Sequence, residues 1–222
     1  MKVFVITEGV SEYRGLPKLS SQIQASCRHT LKVLKTNVPS DVPISKIVRR
    51  SISNVLLAFA ENADLVVLLL DREEQDSCCG KVAESIRQEL ARSVGDQYSD
   101  KIYVVLKDRK FENWLVADLD ALKAQPARFK VTPSVVKKVA PNKADTIDAE
   151  KLIKSIVIGG NYEKVADSGR ICERLNLEQA AVNSRSFRHF LHVIGHPAYS
   201  DGCRAPVRIP GQRSPRRNAR QQ

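Results

Sequence analysis

The sequence predicts an α/β protein in which a parallel β-sheet is flanked by helices, followed by a helical C-terminal subregion and a basic flexible tail. The clearest observation is Leu65–Leu70, an uninterrupted aliphatic run that ends abruptly at Asp71. A run of this kind is typical of a parallel strand covered on both faces. Two further short strand-like runs lie before and after it, separated by amphipathic helical patterns. This alternation favours a parallel sheet with right-handed crossovers.

The N-terminal half supplies the strands and the helices that connect them. The predicted strands are Lys2–Thr7, Leu65–Leu70 and Ile102–Leu106. Apolar residues at helical spacing predict helices over about 16–34, 44–59, 82–90 and 111–117. Gly9 permits a tight turn directly after the first strand. Trp114, in the last of these helices, is expected to lie in the core rather than on a base-stacking surface.

The C-terminal third is predicted to be a helical extension of the same domain. Prolines at 126, 133 and 141 interrupt residues 121–142, which favours a loop-rich connection. Apolar periodicity then predicts helices over 148–158, 165–175 and 184–194. The expected organisation is a core over 1–120, the helical extension over 121–197, and an Arg-rich tail over 198–222 without apolar periodicity.

Composition limits the classes of function. The chain has 222 residues, 42% of them hydrophobic, and a formal net charge of +11. Six arginines and one aspartate after residue 200 contribute +5, which leaves +6 on the rest of the chain. This excess suits a polyanion such as nucleic acid. The five cysteines form no CxxC pair, and no apolar stretch resembles a signal peptide or a membrane span. A cytoplasmic protein without membrane contact is therefore expected.

Acidic residues follow each predicted strand. Glu8 and Glu12 come after the first strand, Asp71 and Glu73 after the second, and Glu112 after the third. In a parallel sheet these strand ends lie at one edge, where open α/β sheets bind ligands. Carboxylates gathered there repel one another unless a cation is bound, and oxygen ligands suit Mg²⁺ or Mn²⁺. Alternatively, some are ordinary solvated acids, and Glu112 is an exposed acid that favours a helix N-terminus.

The order of these acids resembles the Toprim domain, the catalytic domain of topoisomerases, primases and several nucleases. The Toprim pattern has a Glu after the first strand and an Asp-x-Asp after a later strand. The corresponding residues here are Glu8 and the pair Asp71 and Glu73. Glu73 replaces the second aspartate of the pattern, which keeps the charge and lengthens the side chain.

A narrower resemblance is carried by shorter motifs. They are Phe111–Asp118, Tyr162-x-Lys164 and Ser186-Phe187. They make the chain similar to a Toprim-like family, domain-of-unknown-function family 4276. That family is distantly similar to the Toprim domain of overcoming-lysogenization-defect (OLD) nucleases. The resemblance covers residues 1–118 for the fold and extends to about residue 194 for the narrower family.

The resemblance implies metal-dependent hydrolysis of phosphodiester bonds in nucleic acid, by a nuclease of a bacterial defence or repair system. The implied ligands of one or two Mg²⁺ or Mn²⁺ ions are Glu8, Glu12, Asp71, Glu73 and Glu112. The implied catalytic residues are Glu8, Asp71, Glu73 and Lys164, with Lys164 stabilising charge that develops on the phosphate. DNA is expected in preference to RNA. Stand-alone Toprim proteins often act with an ATPase, so a separate ATPase subunit is an expected partner, and a homodimer is left open.

A second interpretation is a non-catalytic Toprim-like subunit that binds nucleic acid or regulates a partner. The departure at Glu73 and the absence of an ATPase domain favour this subunit, whereas Glu8, Glu12 and Asp71 favour an enzyme. Under either interpretation, basic residues are predicted to contact phosphates. They are Arg185 and Arg188 on the last helix, and Arg216 and Arg217 in the tail.

Overall fold

The computed structural model describes residues 1–37, 42–72 and 78–200. Its strands are β1 (Lys2–Thr7), β2 (Thr30–Lys35), β3 (Leu65–Asp71) and β4 (Ile102–Lys107). All neighbouring strands are parallel, and their order in the sheet is β2–β1–β3–β4. The predicted α/β class with a parallel sheet is confirmed.

Helices connect these strands and form the C-terminal region. Those between the strands are α1 (Val10–Gly15), α2 (Ser20–Cys27), α3 (Ile44–Ala60) and α4 (Cys79–Val94). Those after β4 are α5 (Phe111–Ala117), α6 (Leu119–Lys123), α7 (Pro133–Val139), α8 (Ala149–Ile156), α9 (Lys164–Cys172), α10 (Leu177–Asn183) and α11 (Arg185–Val193). The predicted helical C-terminal region is confirmed. No helix of the described residues has both the length and the apolar content needed to cross a membrane.

The sheet separates two hydrophobic cores. Val66 and Leu68 of β3 point to the side covered by α3 and α4. Val67 and Leu69 point to the opposite side, which is covered by α2 and the C-terminal helices. Successive strand residues point to opposite faces, so a strand buried on both sides must be apolar throughout. The aliphatic run of β3 thus has the structural role that the sequence predicted.

An aromatic cluster fixes α5 against α11. The Trp114 ring centroid lies 5.0 Å from that of Phe187 and 5.3 Å from that of Phe190. The indole Nε1 donates a hydrogen bond of 2.8 Å to Ser186 Oγ. Only 1% of Trp114 is exposed, which confirms its predicted place in the core. Because α5 also carries Glu112, this cluster holds one functional candidate in position.

The predicted helix over 16–34 is wrong in its second half. Helix α2 ends at Cys27, where Arg28 adopts a left-handed conformation with φ of 56°. The chain then forms β2, whose residues pair with β1. Leu31 and Leu34 fit helical spacing, but both are only partly buried on an edge strand with exposed Lys32 and Lys35. Backbone pairing with β1 therefore overrides a short apolar pattern that could fit either structure.

The region 121–142 contains more helix than predicted. The side chain of Asp118 caps α6, and the Thr132 hydroxyl accepts a hydrogen bond from the Val135 amide to cap α7. Pro133 occupies the first turn of α7, where a missing amide hydrogen costs nothing. Helix α10, which follows the Asn176 cap, was not predicted. The helices predicted over 148–158, 165–175 and 184–194 are present with shorter bounds as α8, α9 and α11.

Candidate acidic site

Three of the predicted acids meet at the carboxyl edge of the sheet. Glu8 directly follows β1, Glu12 lies in the first turn of α1, and Asp71 ends the adjacent strand β3. The Asp71 backbone amide donates a hydrogen bond of 3.1 Å to Glu8 Oε2. A Cβ atom at Gly9 would lie 2.5 Å from Glu12 Oε2, so glycine at this turn lets Glu12 fold back beside Glu8. The parallel topology therefore brings together acids from two strand ends and the first turn of α1.

A buried lysine lies among these acids and was not predicted. Lys107 ends β4 and is the register partner of Asp71. Its Nζ lies 2.7 Å from Asp71 Oδ1 and forms a second ion pair with Glu12 Oε1. Lys107 is 0% exposed and Glu12 3% exposed, so the ammonium has exchanged water for these carboxylates. We call Glu8, Glu12, Asp71 and Lys107 the edge cluster.

The electrostatics of the edge cluster are dominated by burial and by Lys107. Burial opposes the charged form of Lys107, but Asp71 and Glu12 outweigh it and raise its pKa. Burial also opposes ionisation of Glu12, yet the charge and hydrogen bond of Lys107 outweigh it, and the pKa of Glu12 falls below its ordinary value. At Glu8, burial predominates and raises the pKa to about 7. The charge of Lys107 therefore favours ionised Glu12, whereas at Glu8 the same charge is too weak to offset burial.

Glu112 and Lys164 form a second pair beside the edge cluster. Glu112 lies in the first turn of α5 and is 0% exposed, so it is not the exposed acid of the alternative interpretation. Its Oε1 lies 3.1 Å from Lys164 Nζ and accepts a hydrogen bond of 3.4 Å from the Tyr162 hydroxyl. Its Oε2 is buried with no hydrogen-bond partner. Burial would lower the pKa of Lys164, but the charge of Glu112, with smaller contributions from other acids including Asp71, raises it.

The donor set has the right chemistry for Mg²⁺ or Mn²⁺, but two of its acids already pair with a lysine. The available atoms are carboxylate oxygens, which hard divalent ions prefer. However, the Lys107 ammonium contacts both Glu12 and Asp71. Within residues 1–37, 42–72 and 78–200, no group of three or more His, Cys, Asp or Glu side chains is placed to hold a metal. Glu73 lies outside the described residues.

The predicted phosphate contacts divide into three cases. Arg185 has a side chain 61% exposed and forms an ion pair with Asp108, so it is accessible to a polyanion. Arg188 is 1% exposed, and its guanidinium donates to the Ala181 carbonyl and to Asn142 Oδ1. The structure contradicts its predicted role, because the guanidinium is buried and links α11 to α10 and to Asn142 inside the protein. Arg216 and Arg217 lie outside the described residues.

Sequence reasoning missed Lys107 and Tyr162. A signal for Lys107 was present: β3 and β4 have similar lengths, and aligning their ends places Asp71 beside Lys107. The usual assumption that lysine is exposed hides this signal. Tyr162 enters the sequence prediction only as part of the Tyr162-x-Lys164 motif. Its hydroxyl contacts both Glu112 Oε1 and Ser168 Oγ, which ties α5 to α9.

The fold and the site together define a parallel α/β protein with an acidic cluster at the carboxyl edge of its sheet. The chain belongs to the DUF4276 family, a domain of unknown function whose family model matches residues 7–195. The predicted membership of this family is confirmed. Among solved structures, the chain is similar to the C-terminal region of the Burkholderia pseudomallei OLD protein. That similarity has 12% sequence identity and a TM-score of 0.43, and it covers 83% of this chain and 89% of that one. No curated protein matches the chain.

Proposed function

We propose that this protein hydrolyses phosphodiester bonds of nucleic acid at the edge cluster, in a reaction that requires Mg²⁺ or Mn²⁺. The observation that carries the proposal is the gathering of Glu8, Glu12 and Asp71 at the ligand-binding edge of a parallel sheet. Buried like charges cost stability, and such groups concentrate at functional sites. The proposed ligands are the three acids together with Glu73 and Glu112.

Lys164 is the proposed contact to the reacting phosphate. Its Nζ is anchored by Glu112 Oε1 at 3.1 Å, yet 49% of its side chain is exposed. A cation held in a fixed place but open to solvent can stabilise negative charge that develops on a phosphate oxygen. Anchoring by a fully buried carboxylate also reduces the freedom that Lys164 would lose when substrate binds.

The charge of the chain supports a polyanionic substrate. The formal net charge is +11, and exposed Arg185 lies near the carboxyl edge through its ion pair with Asp108, which directly follows β4. Positive charge of this kind attracts nucleic acid without reading sequence, in a manner that salt weakens. DNA in preference to RNA, a separate ATPase subunit and a place in bacterial defence or repair remain parts of the proposal.

Cleavage of labelled plasmid, linear DNA and structured RNA in Mg²⁺, Mn²⁺ or EDTA tests the proposal. Asp71→Asn and Glu8→Gln should abolish metal-dependent cutting while circular dichroism shows a retained fold. Glu84→Gln is the matched control, because Glu84 is an exposed acid of α4 that pairs with Arg87. Cutting that survives both edge-cluster substitutions would place the activity elsewhere and refute the proposal.

One observation favours the second candidate, a non-catalytic subunit that binds nucleic acid. Lys107 already neutralises part of the acidic charge, so Glu12 and Asp71 have a positive partner without a bound metal ion. Under this candidate, the wild-type protein and Asp71→Asn bind DNA equally well in a salt-dependent manner. Neither protein cuts DNA, and neither binds Mn²⁺ in equilibrium dialysis.

A further inference from the structure

Lys107 occupies an unusual place for a lysine side chain. It is 0% exposed at the end of β4, and its Nζ lies between Asp71 Oδ1 and Glu12 Oε1, which come from different elements. The Nζ also lies 5.7 Å from the centroid of the Phe111 ring. Burying an ammonium costs free energy unless carboxylates pair with it. The two ion pairs therefore hold Glu12 and Asp71 in place as well as Lys107.

The charge of the edge cluster explains why a cation belongs there. Glu12 and Asp71 would repel each other in a low-dielectric environment without a positive charge between them. A divalent ion can supply that charge, and so can an ammonium. Mg²⁺ binds oxygen at about 2.0–2.1 Å, closer than a lysine Nζ can approach. One pair of carboxylate oxygens therefore cannot hold both cations, because each would occupy the other's position and the two would repel.

We propose that the Lys107 ammonium is a built-in cation that occupies the metal position of the edge cluster, and that a divalent ion binds there only by displacing it. The inference rests on the proposed function, since it describes the control of metal binding at the same site. Its consequence is that Lys107 weakens the metal affinity of the wild-type protein. In the metal-free protein, Lys107 neutralises part of the charge of Glu12 and Asp71. These acids become available to a metal ion only when the ammonium moves away.

The test compares Mn²⁺ binding to wild type and to Lys107→Met. The Met side chain keeps most of the apolar stem and removes the charge. We expect Lys107→Met to bind Mn²⁺ about tenfold more tightly or better, by electron paramagnetic resonance of free Mn²⁺. We also expect its melting temperature to fall in EDTA and to rise more with Mn²⁺ than that of wild type. Lys110→Met is the matched control, because Lys110 pairs with Glu150 and is 41% exposed.

A second pair of variants covers the case in which Lys107→Met does not fold. Glu12→Gln removes one buried carboxylate, so Lys107 then faces Asp71 alone. The double variant Glu12→Gln/Lys107→Met has one buried charge fewer than Lys107→Met. It should bind Mn²⁺ more tightly than Glu12→Gln.

Equal Mn²⁺ affinity with and without Lys107, in either pair, would overturn the inference. Weaker binding without Lys107 would overturn it as well, because the lysine would then support the ion. Cleavage assays fail or succeed independently of this comparison. A protein that never cuts nucleic acid but gains Mn²⁺ affinity on loss of Lys107 would refute the proposed function and leave the displacement inference intact.

Discussion

Asp167 is a buried carboxylate that holds the helix carrying Lys164. It is 0% exposed and accepts hydrogen bonds of 2.9 and 2.7 Å from Arg128 Nε and Nη2. It also accepts a hydrogen bond of 2.8 Å from the Glu163 backbone amide and one of 3.2 Å from Arg170 Nη1. Asp167→Asn keeps the size of the side chain but removes the charge and turns one acceptor into a donor that faces arginine.

The expected cost of Asp167→Asn is about 1.5–3 kcal/mol of unfolding free energy, the usual contribution of hydrogen bonds to a charged group, because the Arg128 side chain keeps 19% of its surface exposed. Burial opposes ionisation of Asp167, but Arg128 outweighs it and lowers the pKa of Asp167. A carboxyl whose pKa is lower in the folded than in the unfolded protein stabilises the fold at every pH above its unfolded-state pKa. That contribution is lost as pH falls through the folded-state pKa. The difference between wild type and variant should thus be constant near neutrality and shrink below about pH 4.

Urea unfolding followed by tryptophan fluorescence measures this cost. Trp114 is the single tryptophan of the chain and reports the packing of α5 against α11. Glu173→Gln is the control, because its ion pair with Lys18 is exposed on both sides and contributes little to stability. A cost for Asp167→Asn no larger than that of the control would show that the Arg128 pair does not hold α9.

Three further outcomes are expected. Burial raises the pKa of Glu8 to about 7 from 4.5, so ionised Glu8 destabilises the fold. The stability of wild type relative to Glu8→Gln should fall by about 1–2 kcal/mol as pH rises from 4.5 through 7, and a pH-independent difference in urea titrations with EDTA would contradict this. Trp114→Ala should cost about 3–5 kcal/mol in thermal unfolding, and a cost below about 1 kcal/mol would remove Trp114 from the core. Lys164→Ala should slow cleavage about 10²–10³-fold, whereas Lys154→Ala, which removes an exposed pair with Glu150, should not.

The main lines of the acidic site follow from the sequence. Strand ends can be read from where an aliphatic run meets an acid, and a parallel sheet then places Glu8 beside Asp71 without any knowledge of side-chain conformations. The position of Lys107 depends on strand register, which composition does not show. The burial of Arg188 depends on how α11 packs against the Asn142 segment, a contact between distant parts of the chain. Both are tertiary facts that reverse the usual expectation for a basic residue.

The same limit explains the error at β2. Leu31 and Leu34 are three residues apart, which suits one face of a helix. The deciding interactions are backbone hydrogen bonds to β1, and a short apolar pattern does not encode them. In contrast, α3 is long and strongly amphipathic, and it was predicted to within a residue or two. Length and periodicity therefore determined which elements could be predicted.

The edge position of β2 also has a consequence for solubility. A strand at the border of a sheet offers unpaired backbone groups to any other chain, and lysine side chains along it discourage that addition. Lys32 and Lys35 are exposed on this border strand, with Lys32 paired to Glu61 of the same molecule. A second chain added along β2 would have to pack beside these charged side chains. Strand-by-strand polymerisation through β2 is therefore disfavoured, and if the protein forms a dimer, we expect its contact surface to lie elsewhere.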